Sequence, residues 1–171
     1  FVSLIKNLSM VTWILVRINP MSERQSILIV EARFYTDVAD QLVEGAVHCL
    51  RSSGVSYERI DVPGVFEIPA AVRMAIHSFG AGFGADHLGF VALGCVIRGE
   101  TTHYDYVCGE SARALMDLTT EHSLALGFGI LTCENITQAR IRADIKKKNK
   151  GGEAARACLR MIEVKRQFRL D

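Results

Sequence analysis

From residue 26 onward, short apolar runs alternate with longer amphipathic stretches, and this alternation is the strongest constraint on what the chain can fold into. The apolar runs predict strands at residues 26–32, 56–62, 90–96 and 126–131, and the amphipathic stretches predict helices at residues 37–53, 68–79, 103–122, 137–145 and 151–168. Strands that alternate with helices favour right-handed crossovers and a parallel sheet. The sequence therefore predicts a three-layer α/β/α domain of flavodoxin-like architecture with four parallel strands.

Length and composition narrow the class of protein further. The 171 residues fit one domain, and a content of 49% apolar and 23% charged residues is typical of a soluble globular protein. A net charge of +1 argues against a broad surface for nucleic acid. The five cysteines are odd in number and form no C-x-x-C pair, which favours a reduced, cytoplasmic protein without a disulfide frame or a zinc site.

Residues 1–20 form an apolar segment that does not resemble the rest of the chain. Lys6 and Arg17 interrupt it, so it is a poor candidate for a bilayer span. It also lacks the A-x-A-like cleavage site of a signal peptide. We interpret residues 1–20 as a leader or extension outside the fold, and residues 21–171 as a single domain.

Two motifs invite a cofactor or nucleic-acid interpretation, and their context argues against both. The glycine-rich run at residues 80–85 formally matches G-x-G-x-x-G/A, but it follows a predicted helix and leads into a strand, the reverse of a dinucleotide site. The basic run at residues 146–148, with Lys150, lacks interleaved aromatic residues. We interpret the first as a connection and the second as a solvated turn, with a separate role left open for Lys150.

Residues 98–103, RGETTH, crowd reactive side chains onto the turn between the third strand and the next helix. Parallel sheets bind ligands at the carboxyl ends of their strands, which is where this turn lies. The imidazole of His103 can give or take a proton near neutral pH. Gly99 permits close backbone approach, and residues 100–102 bring backbone N–H and threonine hydroxyl donors to a helix N-terminus, which favours an anion. The alternative is that Thr101 or Thr102 only caps the helix.

Phe34 and Phe66 follow the first and second predicted strands, so both should lie at the same edge of the sheet. A loop aromatic often fills a core, but two at one edge could stack on a planar heterocycle. Glu67 could then orient such a ring through hydrogen bonds. These residues extend the predicted site from the RGETTH turn across the sheet edge.

Five stretches resemble the lumazine synthase family in order and at family-like spacing: ARFY, VPGVFEIPAA, LGCVIRGETTHYDYV, GFGILTCENITQA and NKGGEAA. The resemblance spans about residues 26–168. It implies a transferase that condenses 5-amino-6-(D-ribitylamino)uracil with 3,4-dihydroxy-2-butanone 4-phosphate through an imine, with phosphate loss, ring closure and dehydration. It implies no cofactor and no metal, a functional link to riboflavin synthase, and homo-oligomers built of pentamers.

The same resemblance assigns residues to the two substrates. For the pyrimidine and its ribityl chain it implies Phe34 as the stacking ring, Val65, Phe66 and Glu67 as pocket lining, Cys95, Val96 and Ile97 as the wall, and Phe128 as the closing aromatic. For the phosphate it implies Glu100, Thr101, Arg142 and Lys150, and for proton transfer it implies His103. Imine formation and dehydration shuttle protons, which suits an imidazole, and phosphate departure needs an anion cradle.

Phe128 gives a further expectation, because it falls at the start of the fourth strand while the other site residues fall at carboxyl ends. A five-residue strand spans about 17 Å, so Phe128 should complete the site of a neighbouring subunit. Two alternatives to this enzyme remain open. One is a cysteine nucleophile, Cys108 or Cys95 with His103, and the other is a non-catalytic binding or shell protein. In each case we expect no nucleic-acid partner and no membrane partner.

Overall fold

The computed structural model describes residues 25–80 and 86–170, in which four strands alternate with helices and two helices follow the last strand. The elements are β1 (Gln25–Ala32), α1 (Thr36–Ser52), β2 (Tyr57–Val62), a 3₁₀ turn (Val65–Glu67), α2 (Ile68–Gly80), β3 (Asp86–Ile97), α3 (His103–Glu121), β4 (Leu126–Cys133), α4 (Ile136–Ala143) and α5 (Lys150–Gln167). The predicted leader at residues 1–20 and the glycine-rich connection, apart from Gly80, lie outside the described residues.

The four strands form one sheet in the order β2-β1-β3-β4, and each neighbouring pair is parallel. The predicted parallel α/β architecture is therefore confirmed. Two strand ends differ from the prediction by two residues or more. β3 starts at Asp86 rather than residue 90, because Asp86 and His87 pair with the start of β1. β4 continues to Cys133, opposite Ile97 at the end of β3. Hydrogen bonding to the neighbouring strand determines both of these strand ends, and the pattern of apolar residues in the sequence does not reveal this pairing.

The core has two layers because alternate residues of a strand point to opposite faces of the sheet. Ile27 and Ile29 of β1 pack into the cluster that contains the buried faces of α1, α4 and α5. Leu28 and Val30 pack on the other side, with the buried residues of α2 and α3. The helices turn their apolar faces to the sheet, and none in the described ranges is long and apolar enough to cross a membrane.

Glycine lets α5 lie directly against β4. A Cβ atom on Gly127 would overlap the carbonyl group of Ala154, and one on Gly129 would meet the Ala154 side chain at 3.0 Å. Both glycines are buried in β4. The close approach fixes the first turns of α5, with Lys150, beside an edge strand of the sheet.

Candidate active site

Ten of the predicted site residues lie along the carboxyl edge of β1, β2 and β3, and we call them the rim group. They are Phe34, Val65, Phe66, Glu67, Cys95, Val96, Ile97, Glu100, Thr101 and His103. Parallel strands all end at this edge, so segments far apart in sequence meet there. The structure thus places the loop after β1, the 3₁₀ turn after β2 and the end of β3 on one side of the molecule.

The rim group presents aromatic rings to solvent next to tightly packed residues. Phe34 is 73% exposed and Phe66 is 56% exposed, although both are large apolar side chains. Val65 and Cys95 of the same group are buried, and Gly94 packs so tightly that a Cβ there would lie 2.6 Å from Val65. Exposed rings next to tightly packed residues offer a surface on which a planar molecule can stack.

The loop that carries Phe34 is anchored by the residue before it. Arg33 donates to the buried carboxylate of Glu31 at 2.9 Å and to Asp40 of α1 at 2.7 Å. Arg59 of β2 donates to the other oxygen of Glu31 at 2.6 Å. The network ties the end of β1 to its neighbouring strand and helix. Sequence reasoning missed it, although a glutamate inside the run SILIVEA was a signal that two cations must lie nearby.

The turn from β3 to α3 leaves its polar groups open. Glu100, Thr101 and His103 are exposed, and His103 is the first residue of α3. Thr102 occupies the N-cap position, but its side chain makes no capping hydrogen bond. The backbone N–H of His103 is 3.4 Å from the Thr101 hydroxyl oxygen, a long contact. Thr102 is therefore not a side-chain cap, and the one contact to Thr101 is long, so the helix start stays largely open.

Arg98 holds this turn in place, and sequence reasoning assigned it no role. Its Nε donates to Glu134 at 3.1 Å, and its Nη1 donates to Asp105 at 3.3 Å. The guanidinium also lies 4.1 Å from the centroid of the Tyr104 ring. Glu134 follows β4, 36 positions along the chain, so no local pattern identifies it as the partner. Arg98 connects the turn that carries His103 to the loop that leads into α4.

The remaining predicted residues meet in a second region, an open cavity of about 370 Å³ that we call the β4 cavity. Its lining comprises residues 128–132 of β4, Arg142 of α4, and Lys150, Glu153, Ala154 and Ala157 of α5. Successive strand residues point to opposite faces, so a cavity lined by five in a row runs along the strand edge. β4 is the last strand of the described sheet, and Phe128 is 47% exposed there.

Two cations face this cavity in different states. Arg142 is half-buried, and its one hydrogen bond within the described chain runs from Nη1 to the Gln138 carbonyl oxygen at 3.2 Å. No described carboxylate forms an ion pair with it. The ammonium group of Lys150, by contrast, pairs with Glu153. Asn149, in a left-handed conformation, accepts from the Gly152 N–H at 3.1 Å and so fixes Lys150 as the first residue of α5.

The structure does not join these two regions within one chain. Phe128 pairs with Ala92, five residues before β4 ends at Cys133, so it lies about 16 Å along the strand from the carboxyl edge. No member of the rim group lines the β4 cavity. Each region therefore carries part of the predicted machinery.

The cysteines are poor nucleophiles in this environment. Burial, reinforced by the neighbouring Cys133 thiol, raises the pKa of Cys95 to about 12. Desolvation likewise raises the pKa of Cys108. Both thiols are therefore protonated at neutral pH, whereas the reactive form is the thiolate. This opposes the cysteine-nucleophile alternative. Within the described ranges, no three histidine, cysteine, aspartate or glutamate side chains are grouped so as to hold a metal ion.

The fold and these two regions define a three-layer α/β/α protein with exposed aromatic rings along one edge of its sheet and two cations along the open strand β4. The family model for 6,7-dimethyl-8-ribityllumazine synthase matches residues 24–166. The chain belongs to the 6,7-dimethyl-8-ribityllumazine synthase family.

Similar proteins agree with this membership over most of their length. The chain is 58% identical to 6,7-dimethyl-8-ribityllumazine synthase 1 of Rhizobium meliloti over 142 residues, which cover 83% of this chain and 92% of the relative. It is 55% identical to the 6,7-dimethyl-8-ribityllumazine synthase of Agrobacterium fabrum, with 83% and 95% covered. It is 52% identical to that of Afipia carboxidovorans, with 83% and 86% covered.

Proposed function

We propose that this protein condenses 5-amino-6-(D-ribitylamino)uracil with 3,4-dihydroxy-2-butanone 4-phosphate to form 6,7-dimethyl-8-ribityllumazine, the penultimate step of riboflavin biosynthesis. One observation carries the proposal: the family match at residues 24–166 contains every residue of the rim group and of the β4 cavity. The product would then pass to riboflavin synthase. The same membership, together with the reduced cysteines, supports a cytoplasmic location.

In this proposal the rim group binds the pyrimidine. Phe34 stacks on the ring, which explains why so large an apolar side chain is left in solvent. Val65 and Phe66 line the pocket, and Glu67 accepts hydrogen bonds from the ribityl hydroxyls. Cys95, Val96 and Ile97 close the wall at the end of β3.

His103 acts as the proton carrier. The 5-amino group of the pyrimidine attacks the ketone and expels water to form an imine. Elimination of inorganic phosphate then leaves an enol at C3, the carbon that carried the hydroxyl, and this enol tautomerises to a ketone. Attack of the ribitylamino nitrogen on that new carbonyl and loss of a second water complete the ring. Each of these steps moves a proton, and an exposed imidazole at the start of α3 can supply and accept it. Much of the acceleration comes from holding the two reactants together.

The phosphate is bound by two elements. Glu100 and Thr101 contribute the open turn before α3, where backbone N–H groups favour an anion. Arg142 and Lys150 contribute a guanidinium and an ammonium. Since these cations lie in the β4 cavity, the site is completed by a neighbouring subunit, whose Phe128 covers the pyrimidine. The position of the β4 cavity along an open strand edge supports this arrangement, and we expect a pentamer as the smallest complete unit.

The experiment mixes the two substrates with purified protein and follows lumazine fluorescence together with released phosphate. The expected result is one phosphate for each lumazine, with a particle mass that is a multiple of five subunits. Absence of lumazine formation in a folded, assembled protein would overturn the proposed function. A monomeric particle that is fully active would overturn the shared site and leave the activity standing.

A further inference from the structure

The β4 cavity contains one group that the proposed function does not use, the carboxylate of Glu153. It lines the same cavity as Arg142 and Lys150, and it pairs with the Lys150 ammonium. An acidic side chain inside an anion site opposes the binding of the anion. We propose that Glu153 competes with phosphate for Lys150 and so sets how readily the phosphate leaves. This inference rests on the proposed function, because it takes the β4 cavity to be the phosphate site.

The geometry makes the Lys150–Glu153 pair easy to break. The two residues are three positions apart at the start of α5, which places them on one helix face. Within one subunit their side chains are 41% and 48% exposed, so neither is packed into the core, and an ion pair at this spacing contributes little to helix stability. An incoming phosphate can therefore replace the carboxylate on the ammonium group without disturbing the packing of α5.

Arg142 and Lys150 then have different tasks. Arg142 is held by its hydrogen bond to Gln138 and has no described carboxylate partner, so its charge is always available to an anion. The charge of Lys150 is available to an anion only when its ion pair with Glu153 is broken. Asp144, the other acidic residue near this turn, pairs with Lys147 at 3.4 Å and is therefore engaged elsewhere. Glu153 is the carboxylate that competes for Lys150.

The N-terminus of α5 favours an anion next to Lys150 both before and after phosphate replaces the Glu153 carboxylate. The N-terminus of α5 carries a partial positive charge, which favours an anion and disfavours an unpaired lysine. In the empty site Glu153 supplies the anion, and in the occupied site the phosphate supplies it. The carboxylate returns to Lys150 when phosphate departs. Glu153 thus lowers the affinity for both the phosphate ester and inorganic phosphate, and it promotes product release.

The test measures inorganic phosphate binding to the full-length protein by calorimetry and by inhibition of lumazine formation. Glu153→Gln removes the competing charge at nearly constant shape, so phosphate should bind about three- to tenfold more tightly. Glu153→Ala should shift binding in the same direction, and Glu153→Asp should stay close to wild type. A role limited to helix stability would not tighten phosphate binding.

Glu163→Gln provides the matched control. Glu163 pairs with Arg160 at the same three-residue spacing in the same helix, and it lies outside the β4 cavity. The Glu163→Gln variant should bind inorganic phosphate with the same affinity as the wild-type protein. If the wild-type protein forms no lumazine, the proposed function fails. If it forms lumazine and both neutral Glu153 variants bind phosphate no more tightly than wild type, the inference about Glu153 alone is overturned.

Discussion

The rim group and the β4 cavity are built in opposite ways. The rim group is a row of exposed side chains next to tightly packed residues, whereas the β4 cavity is a concavity with two cations along an open strand edge. The first offers stacking rings and a histidine, and the second offers charge. The rim group lacks the two cations, and the β4 cavity lacks the stacking rings at the sheet edge. We therefore infer that each chain contributes its rim group to one active site and its β4 cavity to the active site of a neighbour.

The largest expected effect is on proton transfer at the rim. Replacing His103 with alanine should lower kcat about a hundredfold, since a positioned acid-base group is worth at least that much. The KM for the pyrimidine substrate should change little, because Phe34 and Phe66 remain. Steady-state kinetics with the pyrimidine varied will measure both constants. His48→Ala, an exposed histidine of α1, is the control, and an unchanged kcat in His103→Ala would remove the assigned role.

The next largest effect should fall on phosphate binding in the β4 cavity. Arg142→Ala removes a charge-assisted donor, so the KM for the phosphate substrate should rise about 10- to 100-fold while kcat changes less. Arg140→Ala is the matched control, because Arg140 lies on the same helix and pairs with Asp37 at 2.9 Å instead of facing the cavity. If Arg140→Ala and Arg142→Ala raise this KM equally, the cavity assignment is wrong.

A smaller effect is expected where the turn of the rim group is anchored. Arg98→Gln releases Glu134 and Asp105, so His103 and the open helix start lose their fixed position. We expect kcat/KM to fall about three- to tenfold, with Arg98→Lys restoring part of the loss. Arg113→Gln is the control, since Arg113 also pairs with two carboxylates of α3 but anchors no loop. Equal losses in the two variants would argue against a positioning role for Arg98.

The smallest effect concerns the turn that links Arg142 to Lys150. A hydrogen bond from the Lys146 N–H, helped by the Lys147 ammonium, lowers the pKa of Asp144 below its ordinary value of 3.8. A lowered carboxyl pKa stabilises the fold above the ordinary value and loses that contribution as pH falls through the folded value. Asp144→Asn should therefore lower the free energy of unfolding at pH 7, and the difference should shrink as the pH falls below 3.8. Urea unfolding across this pH range measures it. A difference that persists at low pH would contradict this account.

Most of the fold could be predicted because strands and helices leave periodic patterns. The carboxyl-edge placement of Phe34, Phe66 and His103 followed from the parallel sheet, and the structure agrees with it. Phe128, Arg142 and Lys150 were identified only by resemblance to a family, since nothing in their spacing brings them together. The structure explains their grouping through Gly127, which lets α5 approach β4.

The sequence could not predict which residues form ion pairs with each other, because the partners come from elements that only the fold brings together. Arg98 pairs with Glu134, which follows the neighbouring strand β4, and the charge of Glu31 is compensated by Arg33 and Arg59 on different elements. In the sequence alone, many acidic residues are equally good candidates for the ion-pair partner of Arg98. Glu153 was missed for the same reason, because a glutamate three positions after a lysine is common on helix surfaces, and its meaning comes from the cavity that it lines.

The most direct test of the shared site mixes two impaired variants, each with one half of the site intact. His103→Ala and Arg142→Ala proteins are refolded together in equal amounts and assayed at a phosphate-substrate concentration well below its KM. If the rim group of one subunit works with the β4 cavity of its neighbour, random mixing restores about a quarter of the wild-type activity, because a quarter of the interfaces join two intact halves. If each chain carries its own complete site, the mixture will show no more than the average of the two variants assayed separately.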